Sequence, residues 1–215
     1  MWVYDVGTSS YCGLNEASLA AHAEARRLDP HIVTSVEQTL LMMGDVESLL
    51  AADRQTLIAG ADDGIRVIGL GLAGRRDEAL QMLDIMRQRS RIETFERWTV
   101  QLKAWLERRR EDMLADLADL GTIRIQDDPE AIFQVAWLLC DIGAHEVALP
   151  HLRRAVAKGY FPERTLRNSP HFDALRQDGG FQAMVADADA GRQRALRALR
   201  EAGGERLLGL TSRAA

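Results

Sequence analysis

A six-residue signature recurs along this 215-residue chain. Gly13-Leu14-Asn15-Glu16-Ala17-Ser18, Gly44-Asp45-Val46-Glu47-Ser48-Leu49, Gly74-Arg75-Arg76-Asp77-Glu78-Ala79 and Gly143-Ala144-His145-Glu146-Val147-Ala148 each place a glycine five residues ahead of a small or apolar position. Such a unit reads as the turn of a helical hairpin, because glycine takes the positive φ at which a first helix ends. The closing positions 18, 49, 79 and 148 are 31, 30 and 69 residues apart. The last spacing is twice a hairpin repeat of roughly 34 residues, so a degenerate unit is expected between, with Arg109 to Leu114 in its place and the glycine lost. One hairpin cannot bury its apolar face alone, so an array of them commits the chain to stacked helices. The pattern predicts an all-α fold, a right-handed α-solenoid of about five hairpins with a C-terminal capping helix. It dictates no chemistry.

The best-preserved unit runs from Pro129 to Pro162. Asp128 is the expected N-cap with Pro129 at the first helical position, where a missing N–H costs nothing. Ile132, Val135, Ala136 and Leu139 form a stripe at helical spacing that ends at Gly143, and the second helix carries Ala148, Leu152 and Ala155. The third unit is glycine-rich in its first helix (Gly64, Gly69, Gly71), which fits either close helix packing or local looseness. In the fourth, Phe95, Trp98, Leu102 and Trp105 form one stripe. An aromatic stripe at this spacing is expected to pack inward, whereas a register shifted by one residue would aim both tryptophans at the concave face. The repeats are expected at about 1–30, 31–59, 60–93, 94–127 and 129–162. After Pro162, Ser169 is the expected cap of a new helix begun by Pro170. Phe172, Leu175, Phe181 and Met184 then cover the last repeat, and a long Arg-rich helix from about Phe181 to Ala202 completes a capping region over 163–215 of the same solenoid. The first unit's register begins about two residues before Met1. Its N-terminal edge is therefore expected to be uncapped, and the chain to self-associate or fray through residues 1 to 30.

Trp2, Gly13, Ala25 and Pro30 in the first unit, and Gly143, Ala148 and Ala155 in the last, resemble the tetratricopeptide repeat pattern. In that pattern two alanines seven residues apart let antiparallel helices approach closely. With Ala21-His22-Ala23-Glu24-Ala25-Arg26-Arg27-Leu28-Asp29-Pro30 and the ending from Ser169 to Phe181, the chain is similar to the C-terminal tetratricopeptide regions of bacterial signalling proteins. There such regions follow kinase, nucleotidyl-cyclase or winged-helix domains. The resemblance implies a repeat fold and protein–protein interaction, and it carries over no catalytic or DNA-reading residue.

The net charge of −5 argues against general affinity for phosphate backbones. No apolar run approaches the roughly 20 residues that span a bilayer, and the first residues lack the basic-then-apolar pattern of a secretory signal. A cytoplasmic protein with two reduced thiols, Cys12 and Cys140, is expected. His145 and His151 are six residues apart and do not share a face as metal ligands at i, i+4 would. His22, His31 and His171 fall elsewhere, so no metal site is expected. Asp112, Asp116 and Asp119 read as a solvated helix face, and so do Arg192, Arg194, Arg197 and Arg200, with Asp187, Asp189 and Glu201 close by. No phosphate-binding loop, nucleophile elbow or paired-cysteine motif occurs, so neither an enzyme nor a cofactor is expected.

The concave face of the best repeat should present Glu130, Phe133, Trp137, Cys140 and Asp141. That set is acidic and aromatic, and it lacks the cations that hold a peptide carboxylate. The expected function is a non-catalytic scaffold binding an apolar partner segment on Phe133 and Trp137. The alternative is a ligand-sensing domain that controls an associated effector.

Overall fold

The computed structural model describes residues 9–52, 61–89, 93–120 and 127–210, and all regular structure among them is helical. The helices are α1 (Asn15–Leu28), α2 (Val36–Met43), α3 (Val46–Ala51), α4 (Ala61–Leu72), α5 (Arg76–Arg89), α6 (Glu93–Leu106), α7 (Arg110–Leu120), α8 (Pro129–Asp141), α9 (His145–Ala157), α10 (Glu163–Asn168), α11 (Gly179–Glu201) and α12 (Gly204–Leu207), with a 3-10 turn over Pro170–Leu175. Trp2 and the rest of the first eight residues lie outside this description.

The signature glycines end helices as their position dictates. Gly13, Gly44, Gly74 and Gly143 have φ of 68°, 71°, 80° and 78°. At each, the glycine N–H meets the carbonyl three residues back and the next N–H the carbonyl five back, as in Gly143 to Cys140 at 3.0 Å and Ala144 to Leu139 at 2.8 Å. The degenerate unit builds the same turn without glycine. Arg108 has φ 56°, its N–H bonds to Trp105 O at 3.0 Å, and the Arg109 N–H bonds to Ala104 O at 2.8 Å. The turn therefore sits one residue earlier than the sequence pattern suggests, and Met113, not Leu114, takes the closing position. With that correction the five equivalent residues, Ser18, Leu49, Ala79, Met113 and Ala148, are all 0% exposed.

The glycines of α4 serve close approach. A Cβ on Gly64 would collide with the Trp98 ring, one on Gly71 with the Trp105 ring, and one on Gly69 would lie 2.6 Å from Leu49 Cδ2. Trp105 is fully buried and Trp98 partly so, which answers the register question in favour of inward packing. Arg66, also on α4, is buried and donates to Leu49 O and Ala52 O at 3.2 and 2.8 Å, closing the C-terminal end of α3.

Neighbouring helices pack in chain order from α1 to α7, and α8 packs on α9, α9 on α11, and α10 on both α11 and α2. That last contact brings the two ends of the described chain together. The Phe161 N–H donates to Tyr11 O at 2.8 Å, Thr165 Oγ1 to Met42 O at 2.8 Å, and Tyr11 Oη to Asp128 Oδ2 at 2.6 Å. Gln134 reaches Gln38 at 2.7 Å, and Arg164 pairs with Glu16. A Cβ on Gly13 would strike the Phe161 carbonyl. The expected open N-terminal edge includes residues 1–8, which lie outside the described residues; from Ser9 onward Ser10, Asn15, Ala17 and Ser18 are buried. Spacing along the sequence carries no information about which distant segments meet.

In the C-terminal region Phe172, Leu175, Phe181 and Met184 are buried. Asp178 caps α11 by accepting from the Phe181 N–H at 2.8 Å. Ser169 precedes the 3-10 turn, but its hydroxyl meets His171 Nδ1 at 2.8 Å and caps no backbone N–H.

Candidate functional site

Helix α8 starts as its sequence requires. Asp128 Oδ1 accepts from the Glu130 and Ala131 N–H groups at 2.8 and 3.1 Å, with Pro129 at the first position. Its Oδ2 is left for Tyr11. The face expected to be an open groove is instead interior. Phe133 is 0% exposed, Trp137 4% and Cys140 4%, because residues 160–175 fold back over them. The Phe133 ring lies 5.4 Å from Tyr160, 5.7 Å from Trp137 and 6.2 Å from Phe172. Tyr160 meets Tyr11 edge-on at 5.3 Å, and Phe172 meets Trp137 and Phe181 at 6.0 Å each. Aromatic pairs in this geometry stabilise beyond the area they bury. Phe133 and Cys140 are therefore core residues, and a partner cannot lie along the whole face.

Glu130 and Asp141 stand at opposite ends of α8. Burial, and then the Asp128 charge, push the Glu130 carboxyl up to about 8, so it is largely protonated at neutral pH. The same burial raises both Tyr11 and Tyr160. Asp141 is a hub. Its Oδ2 accepts from Arg76 Nη2 at 2.5 Å and from Trp105 Nε1 at 2.8 Å, and its Oδ1 lies 3.4 Å from His171 Nε2. Arg76 also lies over the Trp105 ring at 5.5 Å and donates to the Trp105 and Leu106 carbonyls. One carboxylate thus ties α5, α6, α8 and the 3-10 turn. Burial, followed by Asp141, pushes the Cys140 thiol up to about 12. It stays protonated, the opposite of an activated nucleophile.

Trp137 is the member of the expected groove that lines a cleft. A cleft of about 360 Å³ lies between the α2–α3 turn (Leu41, Met42, Met43, Val46), the end of α4 (Leu72, Ala73), Trp137 and residues 164–171. Its walls are mainly apolar, with Asn15, Arg164, Asn168 and Ser169 at the polar side, and Met43 is 43% exposed. None of the wall outside α8 was legible as a site, because Met42, Ala73 and Asn168 lie in separate segments of the chain and share no local pattern.

Among the described residues no group of three or more His, Cys, Asp or Glu is placed to hold a metal ion. His22 pairs with Thr34 at 2.6 Å, and His151 with the Val147 carbonyl at 2.9 Å. Asp112 pairs with Arg109, and the side chains of Asp116 and Asp119 lie outside the described ones. Arg192 meets Asp189 and Glu163, and Arg200 meets Glu205. No helix among the described residues is long and apolar enough to cross a membrane. Comparison of the chain with protein-family models, with curated proteins and with solved structures gives no match.

Proposed function

We propose that this chain is a non-catalytic, tetratricopeptide-like helical-repeat module whose central cleft binds a short apolar segment of a partner protein. In this reading five hairpins with turns at Gly13, Gly44, Gly74, Arg108 and Gly143 form a solenoid curved until its C-terminal cap meets its first repeat. Recurring turn geometry and the five fully buried closing positions support it. The observation that carries the binding role is the cleft. Its roughly 360 Å³ falls within the ~300–1,000 Å³ of ligand pockets. It combines apolar walls with a few polar groups, and an exposed methionine at its rim suits adaptable contact with another protein. The net negative charge and the ion-paired arginines favour a protein partner over nucleic acid.

The second reading, a small-ligand sensor, draws on the fact that Asn15 and residues 164–171 both line the cleft, so an occupant would bias their contact. Selection from a displayed peptide library separates the two. Ala73 is exposed at the rim, so Ala73→Trp should obstruct the cleft while leaving the melt unchanged. Peptides with apolar anchors should bind the native chain and lose at least about tenfold in affinity, about 1.4 kcal/mol, to Ala73→Trp. Binders indifferent to that substitution would overturn the proposal. Small apolar molecules that raise the melting temperature where no peptide binds would favour the sensor.

A further inference from the structure

His171 stands where the closing segment forms the wall of the cleft, and both of its ring nitrogens are engaged. Nδ1 lies 3.2 Å from Trp137 Nε1 and 2.8 Å from Ser169 Oγ. An indole N–H can only donate, so Nδ1 is the acceptor and carries no proton. The proton then sits on Nε2, 3.4 Å from Asp141 Oδ1. Protonating Nδ1 would turn it from acceptor to donor and set two N–H groups against each other in a half-buried space.

We propose that His171 is a proton-operated latch: protonation of Nδ1 breaks its bond to Trp137 and frees the Ser169–Leu175 segment from α8, opening the cleft that the segment walls. The groups facing the ring come from every element around it. Asp141 of α8 and Asp173 of the 3-10 turn favour the charged ring, Arg76 of α5 opposes it, and the Leu72 carbonyl of α4 accepts from it. Burial outweighs these and holds the imidazole below its ordinary 6.5. A base depressed on folding contributes stability that is present above the unfolded value and lost as pH falls, so the latch is closed at neutral pH and opens in acid. The regulatory meaning rests on the binding role proposed for the cleft, but the latch itself can be read without any ligand.

The test is an NMR titration of the full chain from about pH 7.5 to pH 5. It follows the His171 imidazole, the Trp137 indole N–H and amide exchange over 169–175, corrected for intrinsic rates. The indole resonance and segment exchange should change together with the imidazole, exchange rising about tenfold per pH unit below the transition. In His171→Asn, whose amide oxygen accepts from Trp137 and takes no proton in this range, the transition should vanish and protection at neutral pH persist. An unchanged acid transition in His171→Asn would overturn the latch. So would a wild-type imidazole that titrates without any change in segment exchange, and this second comparison decides the matter should the variant not fold. Peptide binding at neutral pH tests the cleft separately.

Discussion

Arg108 supplies a sharp test of the repeat argument, because it holds a conformation that the other four units assign to glycine. At φ 56° an L-residue carries a penalty of roughly 1–2 kcal/mol from Cβ against its carbonyl. Arg108→Gly removes it, and gives back about 0.5–1 kcal/mol through the freer unfolded chain. The net expectation is a gain of about 0.5–1 kcal/mol, or about 2–4 °C in melting temperature per kcal/mol for a chain of this size. Arg108 is exposed, so little else is lost. The converse variant is Gly143→Ala. No atom lies within 4 Å of a Cβ built at Gly143, so the methyl meets open space and only the backbone term at φ 78° remains. It should cost about 1 kcal/mol. Urea unfolding of both variants beside wild type, with the midpoint and slope fitted together, reads the two effects. An Arg108→Gly midpoint equal to or below wild type, with Gly143→Ala destabilised as expected, would refute the claim that both residues occupy equivalent turns.

Glu130 gives a pH dependence whose sign is opposite to that of an ordinary salt-bridged acid. Its carboxyl rises from 4.5 unfolded to about 8 folded, so between those values the unfolded chain releases a proton that the folded chain keeps. Stability should fall as pH rises through that window, by up to about 5 kcal/mol, and level off above it. Glu130→Gln should flatten the profile and be the more stable protein at alkaline pH; parallel curves for the two would count against a buried, protonated Glu130. Ala148→Arg should unfold the α8–α9 hairpin, because Ala148 is fully buried and overpacking with an unpaired charge costs several kcal/mol, roughly 3–5. An unchanged melt would show that the closing position has been misplaced.

Much of the local architecture was legible because it is set by short-range rules. The Asp128-Pro129 helix start, the glycine turns and the buried alanines at 148 and 155 each depend on residues within one hairpin, where backbone sterics and helical spacing act alone. The lost glycine near Arg109 was visible as a gap in the period, but its place was one residue off, since nothing in an Arg-rich run distinguishes which residue takes the positive φ. The candidate face of α8 was only partly legible. Spacing placed Glu130, Phe133, Trp137, Cys140 and Asp141 together on one side of the helix, but whether that side faces solvent depends on what folds over it. Phe133 became core through Tyr160 and Phe172, Asp141 became a hub through Arg76 and Trp105, and Trp137 came to line a cleft. These outcomes rest on contacts that α8 makes outside its own hairpin, such as those of Asp141 with Arg76 and Trp105, 65 and 36 positions away. By itself, the sequence determined the helices, their turns and the stripes they bury, since each follows from covalent geometry and periodicity within about 34 residues. Only the tertiary structure decided that residues 11–42 meet residues 161–165, because contacts between segments more than 100 positions apart leave no readable local pattern.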